Sequence, residues 1–346
     1  MKTEALNSKN CKILGRHIIH DDVLYLSFSG SCADFLFNGT TLTMKIRTDR
    51  ADDDIQRGIL GVFVNNEFTK KLVLDKPVAE YEIYNNPSNS EDVLIRVIRF
   101  SENNFGKAGI ISVTSDGELK PVAEKDLKIE FIGDSITCGY GVEGVVLKDN
   151  FSTATENPTK AYALKTVEIL NADHSLCSWS GNGIITNYIP PEKDESDLGV
   201  PLMPTVYRYT DLAGAEFQNI TAPEYDFDSF VPDVVVVNLG TNDQSYTRFK
   251  EDRVANFGKH YGEFIRYIRT KRPNSIIIGC LGVMGQDLCD EEARQFELLN
   301  DPKAFFLKLD QQLDEDGIAV DWHPSEVTHT KMSKVLSAFI KEKLSK

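Results

Sequence analysis

The stretch KIEFIGDSITCGYG, Lys128 to Gly141, decides how the chain is read. An apolar run with strand character ends in Gly133-Asp134-Ser135 and passes directly into a turn of small residues. A serine in that place is a favoured helix cap. It also stands where open parallel sheets deliver side chains to a site, beyond the carboxyl end of a strand. Strands and helices alternate from here to the C-terminus. TKAYALKTVEILNA is helical, with Ala161, Leu164, Val167 and Leu170 on one face. PDVVVVNLGTND carries the β-branched run of a strand buried on both faces. RVANFGKHYGEFIRYIRTKRP, SIIIGCLGV, EEARQFELLN, AFFLKL and THTKMSKVLSAFIKEKLSK continue the alternation. The pattern predicts an α/β domain built on a parallel sheet.

Upstream of Leu119 the texture is all-β. Short alternating runs are broken at Gly30, at Asn38-Gly39 and at Asn65-Asn66, and Asn-Gly between such runs is a hairpin signal. Seven or more short strands predict a sandwich or jelly roll. The polar SDGELKPVAEKD reads as a linker, so the expected division is residues 1–122 and 123–346.

Composition narrows the partners. The chain has 346 residues and a net charge of −15, which argues against nucleic acid and against an anionic membrane surface. No apolar run approaches the ~20 residues of a membrane-spanning helix. The N-terminus lacks a basic segment followed by an apolar core, so a cytoplasmic protein is expected. The six cysteines are scattered without a CxxC pair, which argues against a zinc site and for reduced core thiols.

Four segments bring polar residues to loops that share one sheet edge: Ser135, Ser180-Gly181-Asn182, Gly240-Thr241-Asn242-Asp243, and the late VDWHPSEVTH. That set meets the needs of acyl transfer. A serine hydroxyl needs a base, and histidine, here His323, is the usual one. A tetrahedral intermediate needs fixed donors for its oxyanion. The Ser135 N–H, the Gly181 N–H and the Asn242 side-chain amide are the candidates. Asp134 is expected to shape its turn. His329 is expected on the solvated face of the last helix. A metal site from Asp321, His323 and His329 fits no ligand spacing. Trp322 and Trp179 read either as platforms for a sugar ring or as core aromatics.

GDSITCGYG, the lone glycine after the second strand, GTND and DWHPS resemble the four blocks of the GDSL/SGNH hydrolase superfamily. The β-sandwich, Gly15-Arg16, the FSGS…FLFNGT run and TATEN narrow the resemblance to carbohydrate esterase family 2, acetyl esterases with an N-terminal jelly roll. The resemblance implies a three-layer α/β/α catalytic domain. It implies Ser135 as nucleophile, His323 as base, and the Ser135 N–H, Gly181 and Asn242 as oxyanion donors. It implies no metal and no organic cofactor. The superfamily's third acid stands three residues before the histidine, where this chain has Val320. Asp321 lies two before it, so either Asp321 or a backbone carbonyl orients His323. The expected function is a serine esterase removing O-acetyl groups from plant polysaccharide or oligosaccharide of the xylan or mannan type. The alternatives are a lipase or thioesterase for longer acyl chains, and a non-catalytic carbohydrate-binding protein.

Overall fold

A computed structural model describes residues 1–345. Two six-stranded antiparallel sheets fill the first third of the chain. One runs His17–His20, Val23–Leu26, Gly109–Ser115, Thr41–Arg47, Val78–Asn85, with Lys2–Glu4 also on Gly109–Ser115. The other runs Glu118–Pro121, Cys32–Asn38, Val93–Arg99, Ile59–Val64, Glu67–Val73, with Lys12–Leu14 also on Cys32–Asn38. Their inner faces share a core of Leu24, Phe35, Met44, Val62, Ile95 and Val113. Alternation produces this layer: Thr41–Arg47 buries Leu42, Met44 and Ile46 and turns the residues between them outward.

The third sheet is parallel throughout, in the order Asp173–Ser178, Lys128–Gly133, Val234–Asn238, Ile276–Leu281, Ala304–Lys308. Val234 to Val237 are fully buried, as both faces of this sheet are covered. The helix Tyr162–Leu170 ends at Asn171, which takes the left-handed conformation that asparagine tolerates. Glu251–Lys271 carries Glu251 and Asp252 in its first turn and Arg269 and Lys271 in its last, the order the helix dipole favours.

The sandwich and the α/β layer are fused through apolar contact. Leu14, Cys32, Ile59, Ile98 and Phe100 of the sandwich belong to one buried cluster with Ile129, Phe131, Leu164 and Leu176. Polar ties reinforce the seam. The Lys12 ammonium lies 2.6 Å from the Asp173 carboxylate. His174 Nε2 meets the Gly30 carbonyl at 2.8 Å. Arg16, fully buried, donates to the carbonyls of Tyr207 and Tyr209 and sits 3.8 Å from the Tyr225 ring centre. All six cysteines are free and buried.

His329 departs from the sequence expectation. It is buried at the helix Glu326–Leu344, and its Nδ1 accepts the N–H of Tyr162 at 3.1 Å. The helix Tyr162–Leu170 has no side-chain cap of its own, so an imidazole from another helix fills that role. Helical periodicity gave no sign of it, because the acceptor and the orphan N–H are 167 residues apart. Burial lowers the His329 pKa from 6.5 to about 3, with His323 and Lys165 adding to the effect. The unfolded chain therefore binds more protons between those values. The stability His329 contributes is complete above about pH 6.5 and is lost as pH falls toward 3. His329→Ala is expected to lower the unfolding free energy by about 1–3 kcal/mol by orphaning the Tyr162 N–H. It should also flatten the acid side of the stability profile. Urea melts at a series of pH values measure both effects.

Candidate active site

Three strand ends and one loop converge on a hollow of about 710 Å³ lined by Ser135, Tyr140, Gly181, Tyr188, Asn242, Trp322 and His323. Its size falls within the range of small-ligand sites. Ser135 opens the short helix Ser135–Cys138 directly after its strand. Asp134 caps that helix by accepting the Ile136 N–H at 3.0 Å, so the expected turn-shaping role is the one its side chain takes. Gly133 is required sterically, since a Cβ there would lie 2.0 Å from Thr137 Oγ1.

His323 Nε2 lies 2.8 Å from Ser135 Oγ. Its Nδ1 lies 3.1 Å from each of two carbonyl oxygens, those of Val320 and Asp321. Carbonyls only accept, so the Nδ1 nitrogen carries the hydrogen and the Nε2 lone pair faces the serine hydroxyl. Burial lowers the His323 pKa from 6.5 to about 4, while the two carbonyls and the nearby Asp321 charge oppose that fall. The imidazole is neutral, and so able to take a proton, across the neutral range.

Of the two orienting groups open in the sequence, the carbonyls occupy the position. The Asp321 carboxylate turns away and accepts the Tyr140 hydroxyl at 2.9 Å. The cause is local backbone. Asp321 and Trp322 both take left-handed conformations, φ 51° and 65°, within the 3-10 turn Val320–Trp322. That fold aims two successive carbonyls at the ring and leaves the Asp321 side chain outside. A tryptophan at positive φ is rare and carries strain.

Gly181 sits at φ 79° with open space where a Cβ would stand. Any other residue there is strained by its backbone rather than by crowding. Asn242 lies not in a loop but in the first turn of the helix Thr241–Thr247. Its Nδ2 donates to the Asn182 carbonyl at 2.9 Å and to Asp134 Oδ2 at 3.2 Å. Both amide hydrogens thus have protein partners, so donation to any further acceptor requires one of them, the longer Asp134 contact first, to be given up. Asp243 accepts the N–H groups of Ile184 and Ile185, which fixes the neighbouring loop. Burial raises both Asp134 and Asp243 to about 7.

The two tryptophans separate. Trp322 lines the hollow and is 57% exposed. Trp179 is 8% exposed and packs in the core with Ile132, Cys177 and Met203, so it is no platform for a ligand at Ser135. It directly follows the end of the strand Asp173–Ser178.

Sequence reasoning missed Tyr140 and Glu102. Tyr140 lies in the GYG of the opening stretch, stacks on Phe151 at 3.8 Å and meets the His323 ring at 4.4 Å. An aromatic between two glycines, directly after the Ser135–Cys138 helix, was the available signal. Glu102, from the sandwich, had none.

The GDSL-like lipase/acylhydrolase family matches residues 131–329, more than half of the chain. The chain belongs to the GDSL-like lipase/acylhydrolase family. Among the curated relatives of this GDSL-like chain is the cellulase/esterase CelE of Acetivibrio thermocellus, 32% identical over 92% of the chain. The chain spans 37% of that protein's own length. A family two carbohydrate esterase from Clostridium thermocellum, solved with cellohexaose, superposes with a TM-score of 0.84 at 28% identity. That likeness covers 97% of this chain and 99% of the other. The acetyl xylan esterase Est2A of Butyrivibrio proteoclasticus shares the fold with a TM-score of 0.88 at 23% identity, over 99% and 98% of the two chains. The sandwich is therefore part of the shared architecture of these GDSL-like proteins.

Proposed function

We propose that this GDSL-like protein is a serine esterase that removes O-acetyl groups from plant polysaccharide or oligosaccharide. The observation that carries the reading is the 2.8 Å contact between Ser135 Oγ and His323 Nε2, with both carbonyls behind the ring. Ser135 Oγ attacks the acetyl carbonyl as its proton passes to Nε2. The tetrahedral oxyanion lies against the Ser135 N–H, an orphan donor of a helix start, with Gly181 and Asn242 beside it. Collapse expels the sugar hydroxyl, which takes the proton from His323. Water then attacks the acetyl-enzyme with the same imidazole as base. These residues complete the reaction without a Lewis acid.

The carbohydrate part rests on Trp322, whose exposed ring stands beside the base, and on the named activities of the relatives. A sugar ring stacked on Trp322 brings its acetyl group to Ser135. Trp322→Ala is expected to raise KM for acetylated xylo- or manno-oligosaccharide roughly tenfold, about 1.4 kcal/mol, and to leave aryl acetate hydrolysis within about twofold. Steady-state kinetics on the two substrates checks it. The buried free cysteines suit a reducing compartment, and we place the enzyme in the cytoplasm acting on imported oligosaccharides. Native protein recovered from culture supernatant would refute that placement.

The deciding experiment compares aryl acetate, butyrate and octanoate with acetylated oligosaccharides, in the presence of a chelator. Acetate preferred over octanoate by 100-fold or more, roughly what a pocket closed to long chains provides, is expected. Preference for octanoate would leave the serine chemistry standing and remove the carbohydrate reading.

A further inference from the structure

Glu102 follows the sandwich strand Val93–Arg99, yet its side chain is buried against the α/β layer. One carboxylate oxygen, Oε2, accepts the Ser180 N–H at 2.6 Å, and Oε1 accepts the Ser180 hydroxyl. Ser180 precedes Gly181, whose N–H faces the reacting carbonyl in the proposed mechanism. The Cys138 thiol, at the end of the Ser135–Cys138 helix, lies within 4.8 Å of a Glu102 carboxylate oxygen. A single carboxylate from the sandwich therefore holds the Ser180–Gly181 turn and packs beside the end of the Ser135–Cys138 helix.

A second carboxyl meets it. Glu156 is fully buried, and neither of its oxygens has a donor among the described residues. Ligand atoms of Glu102, Cys138 and Glu156 all lie within 4.8 Å of one another. Two carboxylates so close in a dry site do not both ionise. Glu102 receives the Ser180 donors, which favour its charge, so the proton resides on Glu156 and is donated to Glu102. Burial raises both groups, Glu156 well above its ordinary value, the neighbouring Glu102 charge adding to it. The other titratable groups facing the pair are Arg99 from the sandwich, Asp134 and Cys138 at the nucleophile turn, and Tyr140.

We propose that Glu102 is a positioning residue for the esterase reaction, holding the Ser180–Gly181 turn as half of a one-proton carboxyl pair with Glu156. The proposal rests on the esterase reading. Loss of the shared proton puts two charges in one dry space, the turn loosens, and kcat falls while substrate still binds.

The test is aryl acetate kinetics against pH on the full chain, with Ser135→Ala as the control for the esterase reading itself. Activity that survives Ser135→Ala would sink that reading and this proposal with it, whereas the variants below bear on the pair alone. Glu102→Gln removes one acceptor and is expected to lower kcat by roughly 10²-fold with KM within about threefold, the effect of a mispositioned oxyanion donor. Should that protein not fold, Ser180→Ala decides: kcat down about tenfold supports the role, and an unchanged kcat overturns it. Glu156→Ala is expected to lower kcat, and Glu156→Gln, which offers an N–H where the acid offered O–H, to restore it and to remove the alkaline fall of the wild type. A Gln variant as slow as the Ala variant, or one with the wild-type alkaline limb, would overturn the shared proton. So would loss of activity in a chelator, which would make the cluster a cation site.

Discussion

Ser135→Ala and His323→Ala are each expected to lower kcat for aryl acetate by at least about 10⁴-fold, and the double variant to be no slower than either. In the proposed mechanism nucleophile and base act as a unit, so removing one leaves nothing for the other to assist. What persists is the oxyanion site and binding. Asp321→Asn is expected to behave differently, with kcat within about tenfold of wild type. In a Ser-His-Asp triad the equivalent change costs about 10⁴-fold, because the imidazole falls into the wrong tautomer. Here the carbonyls of Val320 and Asp321 hold that tautomer, and they survive the substitution. Removing the Asp321 charge lowers the His323 pKa further, since that charge now raises it. The acid limb of kcat/KM should therefore move to lower pH in Asp321→Asn. A limb that moves up, or a 10⁴-fold loss, would mean that the carboxylate is the orienting group in the working enzyme.

The second large effect concerns the sandwich. A fragment of residues 123–346 is expected to be inactive and not to fold cooperatively. It would expose the surface now covered by Leu14, Ile59, Ile98 and Phe100. Burial of such side chains contributes roughly 1.5–3 kcal/mol each, and a domain's net stability is only about 5–15 kcal/mol. The fragment would also lose the Arg16 partner of the buried Glu130 and the Glu102 grip on Ser180. Circular dichroism melts and acetate turnover on the fragment check this. A fragment that melts sharply and turns over would show the sandwich to be an independent module.

Much of this was legible in the sequence. The buried run Val234–Val237 and the 3.6-residue period of Tyr162–Leu170 reveal the parallel sheet and its cover, and the Asn65-Asn66 turn reveals its hairpin. The serine and the late histidine follow, because chemistry at a sheet edge needs them at chain breaks between elements. What stayed hidden depends on backbone direction and on distant partners. A left-handed Asp321 carries no mark in DWHPS, yet it decides which atom faces Nδ1. His329 looks solvated by period until the Tyr162 helix end is laid against it. Glu102 is one of many acidic residues in an acidic chain, and only the tertiary seam between the sandwich and Ser180 distinguishes it.

The strained turn at Asp321 and Trp322 bears on how such enzymes diversify. On the proposed reading, the aromatic that faces the substrate, Trp322, and the imidazole that takes the proton, His323, are consecutive residues on one unusual turn. A β-branched residue at position 322 resists the left-handed φ of 65°, so it would change the sugar contact and also disturb the peptide that aims the base, where the smaller alanine leaves that peptide in place. The residues open to exchange at position 322 are therefore those that accept a positive φ. Tyr188, on a separate segment that lines the same hollow, is tied to the Gly181 turn only through its backbone N–H, which donates to the Gly181 carbonyl at 2.7 Å, and its side chain is not part of the turn that aims the base. On the proposed carbohydrate reading, glycan preference can then be altered through the Tyr188 side chain more freely than through position 322.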